Sequence, residues 1–143
     1  MLYKGIGLFT ILIIIASGFT PAFALTELER ASIVDPRLVN AFGSPIGNLI
    51  NVDQQVQISA DVINNQEKSQ IFAYLVQIKN ENDIVVYFGW FLGELNPHQK
   101  LNPSLSWSPK EPGEFTAEIF LWEGFPVNHK ALTEYTTLKI NVS

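Results

Sequence analysis

The chain has 143 residues, nine basic and fourteen acidic side chains and no cysteine. Without cysteine there is no thiol nucleophile, no thiolate zinc site, no blue-copper centre and no disulfide, so a hydrophobic core must hold the fold alone. The acidic balance disfavours nucleic acid and anionic lipid as partners.

In chain order, residues 1–24 read as a secretory signal peptide. A basic "MLYKG" leads into the apolar "IGLFTILIIIASGF", and the small-x-small pattern of Ala22 and Ala24 predicts cleavage after Ala24. The competing reading is a retained anchor, but the apolar run is shorter than the roughly 20 residues a spanning helix needs. No later segment is apolar for that long. The expectation is a secreted or cell-surface protein with no stable membrane insertion after cleavage. Cleavage removes Lys4 and no acidic residue, so eight basic side chains remain against fourteen acidic.

Residues 25–31 form a lead-in, where "LTELERAS" is a short, weak helical stretch. From residue 32 to 143 the pattern has period two, broken by turn residues about every 8 to 12 positions, which predicts one all-β domain. "SIVDPRLVNAFG" carries Pro36 inside it and fits an irregular edge strand. "QQVQISADVIN" puts Val56, Ile58, Ala60 and Val62 on one face and Gln57, Ser59 and Asp61 on the other, and "NNQEK" turns the chain. "QIFAYLVQIKN" sets Phe72, Tyr74, Val76 and Ile78 against Ile71, Ala73, Leu75 and Gln77, and "NEND" makes the next turn. "IVVYFGWFLG" is apolar on both faces, so periodicity does not say which side is buried.

After the turn "ELNPHQK", "LNPSLSW" places Leu101, Leu105 and Trp107 in one register, with Trp107 as the core tryptophan. Pro109 and Pro112 stop that strand and Gly113 permits a positive φ. "EFTAEIFLWE" then points Phe115, Ala117, Ile119 and Leu121 inward. Its Glu114 and Glu118 share the outer face with no partner expected to shift them, so they lack the unequal environments of a hydrolytic carboxylate pair. "GFPVNHK" closes a loop and "TEYTTLKINV" is the last strand. About seven strands of this rhythm make an immunoglobulin-like β-sandwich the natural solution.

The stretch "LNPHQ…LSWSPKEPGEFTAEIF" resembles secreted prokaryotic immunoglobulin-like modules, notably the CARDB adhesion-related group and the single-domain exported type common in archaea. Those modules run from a Leu-x-Pro turn to a Trp-x-Pro strand end and a Pro-Gly-x-Tyr corner, and the resemblance covers roughly residues 32–142. It implies a non-catalytic module for adhesion or envelope interactions, with no catalytic residue to carry over. The chain departs from the pattern at Phe115, where Tyr is usual, and at His98, where Gly is usual.

The candidate binding residues are Trp90, Phe120 and Trp122. Phe120 and Trp122 occupy the outer face of "EFTAEIFLWE", where they form an aromatic patch with Trp90 or Phe88, unless "GFPVNHKAL" or the N-terminal segment folds over them. His98 and His129, the only histidines, stand in turn sequence and read as loop residues rather than metal ligands; "NEND" lacks the spaced ladder of a calcium loop. No "GxSxG" context gathers a triad. The expectation is a module that is not an enzyme and needs no cofactor or metal. Its partner is an envelope protein or glycan, with self-association a further outcome, and it binds no nucleic acid. The alternative is an inhibitor of exported proteases acting through the end loops "NNQEK", "NPHQK" or "GFPVNHK".

Overall fold

The computed structural model describes residues 23–143; the signal-peptide reading falls almost entirely on residues outside that range. A single 3-10 turn, Glu27–Glu29, is all that becomes of the lead-in's helical stretch: the amide of Thr26, just before it, donates to the Glu29 carboxylate at 3.0 Å, but three residues bury nothing. Ten strands follow: β1 (Ala31–Val39), β2 (Pro45–Ile46), β3 (Leu49–Ile50), β4 (Val56–Asn64), β5 (Gln70–Lys79), β6 (Val85–Leu95), β7 (Lys100–Leu101), β8 (Ser104–Trp107), β9 (Gly113–Trp122) and β10 (Thr136–Val142).

The expected count was about seven, and the extra strands have local causes. β2 and β3 are two-residue pairings in the long connection after β1, too short to leave a periodic signal. β7 and β8 are one predicted strand divided at Asn102-Pro103, because Pro103 brings no N–H to the ladder. The seven longer segments stand where the alternation placed them.

Two five-stranded sheets face each other. One is ordered β2-β1-β4-β7, with β8 also pairing β4; the other is β3-β10-β9-β5-β6. Pro36 acts on β1 as expected. The β1–β4 register shifts between Val34 and Arg37, and Asp35 takes a φ of 53°, so the proline sits in a bulge near the sheet's edge. Between the sheets Ile58, Val62, Phe72, Tyr74, Val76, Ile119, Leu121 and Ile140 are fully buried, and Trp107 packs edge-on against Phe115 with ring centroids 5.4 Å apart. All of these strands and core residues lie within 31–142, so the sandwich carries its own core.

The turns also follow the sequence. At "NEND", Asn80 Oδ1 accepts the amides of Asn82 and Ile84, each at 3.0 Å, which makes it a side-chain-stabilised turn. His98 has a φ of 58°, the left-handed region that glycine adopts freely, and its ring faces the Glu67 carboxylate at 2.8 Å. Gly113 has a φ of 141°, and a Cβ there would stand 3.0 Å from the Glu81 carboxylate that accepts the Glu114 amide. Gly113→Ala is therefore expected to lower stability by about 1 kcal/mol, measured by urea denaturation.

Candidate functional site

Antiparallel pairing of β6, β5 and β9 lays out three rows on the outer face of the second sheet. Leu75 lies between Trp90 and Phe120, Ala73 between Leu92 and Trp122, and Gln77 between Phe88 and Glu118. Period-two alternation alone puts these nine side chains on one surface. Ala73, Leu75 and Gln77 of the middle strand separate the rings of Phe88 and Trp90 on β6 from those of Phe120 and Trp122 on β9.

A loop then closes over part of this face. After β9 the chain leaves at Glu123 and returns alongside, with Glu123 N–H donating to Lys130 O at 2.8 Å and Leu132 N–H to Leu121 O at 2.9 Å. Its base is clamped by Arg30, which donates to both the Glu123 carboxylate and Ala131 O. Arg30, followed by Asn128, holds the Glu123 carboxyl below the usual carboxylate range. So anchored, the loop lays Phe125 against Trp90 at 5.0 Å, Phe88 at 5.6 Å and Trp122 at 6.1 Å, and sets His129 edge-on to Trp122 at 5.7 Å. From just before β10, Tyr135 stacks on Phe120 at 5.2 Å.

The two readings of the outer aromatics are thus both partly realised. Phe120 and Trp122 are half-buried beneath Tyr135, Phe125 and His129, and Leu75 under them is only 1% exposed. The open part of the surface lies on β6, where Phe88 is 46%, Trp90 39% and Leu92 53% exposed. Periodicity left the burial of "IVVYFGWFLG" open. In the fold Tyr87 and Phe91 turn toward the core and Phe88, Trp90 and Leu92 outward. Phe125 and Tyr135 were not among the expected site residues, because a ring in a turn-rich segment has no periodic face to assign it. Trp90→Ser is expected to lower the melting temperature less than Trp122→Ser, which loses the more deeply packed ring; thermal unfolding of both variants checks this.

Glu118 departs from the expectation of an unpartnered carboxylate. Its Oε1 accepts Lys79 Nζ at 3.1 Å and Gln77 Nε2 at 3.1 Å, and it holds the Lys79 ammonium above the usual lysine range. It forms a polar rim beside Phe88, and nothing in it resembles an acid–base pair. At the other end of the sandwich a cleft of about 520 Å³ is lined by Val86, Tyr87, Trp107 and Phe115, with Lys110 and Glu111 also on its walls. Glu81, Glu111 and Glu114 around the adjoining shallower groove are all exposed, so no carboxyl is set apart from the others by burial.

The histidines stand in loops at the same end of the sandwich, following β6 and β9, but they engage different partners: His98 faces Glu67, and His129 the rings of Trp122 and Phe125. Among the described residues no three His, Asp or Glu side chains gather as a metal site, and no helix is long and apolar enough to cross a membrane.

No family model matches the sequence, and no curated protein is similar to it. Solved structures are similar in fold. The C-terminal domain of wzt superposes with a TM-score of 0.61 at 15% identity, over 80% of this chain and 74% of that one. A CARDB domain from Pyrococcus furiosus, solved in complex with di-metal ions, gives 0.54 at 13% identity, over 84% of this chain and 95% of that one. A cycloisomaltooligosaccharide glucanotransferase from Paenibacillus sp., complexed with cycloisomaltoheptaose, gives 0.57 at 16% identity, but this chain spans 14% of its length. In fold, the chain is a CARDB-like, immunoglobulin-like β-sandwich.

Proposed function

We propose that the protein is an exported, non-catalytic binding module of the cell envelope, and that it engages a glycan or protein through the outer aromatic face of its second sheet. The observation that carries this reading is the exposed line of Phe88, Trp90 and Leu92, bordered by the Gln77–Glu118–Lys79 hydrogen-bonded rim. Flat rings with fixed polar groups at their edge suit a sugar, which packs its C–H face on an indole and directs its hydroxyls to neighbouring donors and acceptors. Anchoring by Phe125 fixes the rings before a ligand arrives, which reduces the ordering cost of binding. The glucanotransferase that shares this fold over a small part of its length acts on carbohydrate, which favours a glycan among the envelope partners.

The test is fluorescence. Trp90 is the most exposed of the three tryptophans, so a soluble fraction of envelope glycan should shift its emission and protect it from acrylamide quenching. Trp90→Ser should weaken binding at least tenfold, about 1.4 kcal/mol. An unchanged quenching profile with every envelope fraction, protein or glycan, would remove the aromatic face from the account.

A further inference from the structure

The two sheets have four edges among the described residues, and three are blunted in familiar ways. Two-residue β2 and β3 cover only the ends of β1 and β10, whose remaining edges are guarded by the bulge with Pro36 and Arg37 and by Lys139, and the edge beside β4 is divided between the two-residue β7 and the four-residue β8. The fourth edge is β6, an eleven-residue strand paired with β5 on one side and with no strand among the described residues on the other. A bulge at its start, between its pairings with Ile78 and Lys79, leaves Tyr87–Leu95 regular. From Ile84 to Gly93 it has no charge and no proline, the two devices that usually guard such an edge.

We propose that this edge pairs antiparallel with β6 of a second copy, joining two five-stranded sheets into one continuous sheet. A twofold axis normal to the sheet keeps inner residues inner and outer residues outer. With the axis at Trp90, Tyr87 stands opposite the second copy's Gly93, and Gly89 opposite its Phe91. Each inward aromatic meets a glycine, whereas shifting the axis by one residue sets Phe91 opposite Phe91 or Tyr87. On the outer face Phe88 meets Leu92 and Trp90 meets Trp90, the aromatic and aliphatic cross-strand pairs that stabilise sheets. Both copies carry the same acidic net charge, and this uncharged segment lets them meet without opposing like charges. Dimerisation also makes the two exposed aromatic lines continuous, so a long ligand would meet both at once. The pairing does not depend on the ligand reading.

Residues 25–143, which hold the complete sandwich, are the material for sedimentation velocity over a wide concentration range without ligand. The expected result is a monomer–dimer equilibrium. Phe88→Lys with Leu92→Lys places lysine opposite lysine twice and should abolish the dimer. The same positions changed to glutamate should also give monomers, and mixing the two charged variants should restore a dimer. A wild type that stays monomeric, or a dimer that survives the lysine pair, overturns the proposal. Independently of substitution, amide exchange along β6 should slow when the wild type is concentrated; exchange that does not change with concentration overturns it as well.

Discussion

Replacing Leu75 with alanine should destabilise the protein by about 3 kcal/mol, although Leu75 points away from the space between the sheets. The side chain is 1% exposed because Trp90 and Phe120 flank it in register and Phe125 closes over that face, against Trp90. Its truncation opens a cavity that anchored aromatic rings fill poorly, the condition under which large-to-small changes cost most. Urea denaturation gives the number. A loss below about 1 kcal/mol would mean the ring layer collapses freely onto the sheet, contrary to a fixed binding surface. The same layer therefore serves twice: its underside buries Leu75 and Ala73, and its rim on β6 stays open.

The second large effect is expected on the other sheet. Asp61 sits on the outer face of β4, nearly buried, and its carboxylate accepts Lys100 Nζ at 2.8 Å, Arg37 Nη1 at 2.9 Å and the Asn102 amide. The hydrogen bond from Lys100, then that from Arg37, holds its pKa below the ordinary 3.8 against the opposing effect of burial. Asp61→Ala leaves both cations without their acceptor and should cost about 2 kcal/mol, moderated because Lys100 is half-exposed to solvent. The sign with pH follows from the lowered folded value. The stabilisation is fully present above the unfolded pKa near 3.8 and is lost as pH falls through the folded one. Glu123, lowered by Arg30, adds to the same acid limb. Asp61→Asn should flatten the fall in melting temperature at low pH, and a limb as steep as that of the wild type would assign it elsewhere.

Much of this architecture was legible in the sequence, because strands buried on one face write their burial as period two. Val56, Ile58, Ala60 and Val62 face the core as their alternation required, and Trp107 is buried against Phe115. Gly113 takes the positive φ that the turn between its prolines demanded. What stayed hidden was anything that covers an outer face. Alternation placed Ser59 and Asp61 on the face away from the core but could not name their partners: Ser59 Oγ donates to Pro103 O at 2.9 Å and Asp61 lies among three donors, because the split β7–β8 segment and β1 bring these groups alongside. Glu118 gains Lys79 only through the β5–β9 register, which no single-strand pattern specifies. For the same reason the candidate trio divided. Trp90 is on the open rim, while Phe120 and Trp122 are half-buried under a loop whose course is set by the Arg30–Glu123 clamp across 93 residues of chain.

The departures at Phe115 and His98 have physical readings too. A phenyl ring at 115 needs no hydrogen-bond acceptor and packs edge-on against Trp107, so the corner is held by apolar contact. His98 occupies the left-handed conformation that glycine adopts freely, and its contact with Glu67 offsets part of that strain.

The most direct test of the central claim is co-sedimentation of residues 25–143 with isolated cell envelopes, comparing the wild type with Phe88→Ser/Trp90→Ser and with Val127→Ser at the tip of the loop after β9. Saturable pelleting is expected of the wild type and of the loop variant, and its loss in the face variant while that variant remains folded. Pelleting that survives the face substitutions, or that is abolished by the loop substitution alone, would contradict the claim.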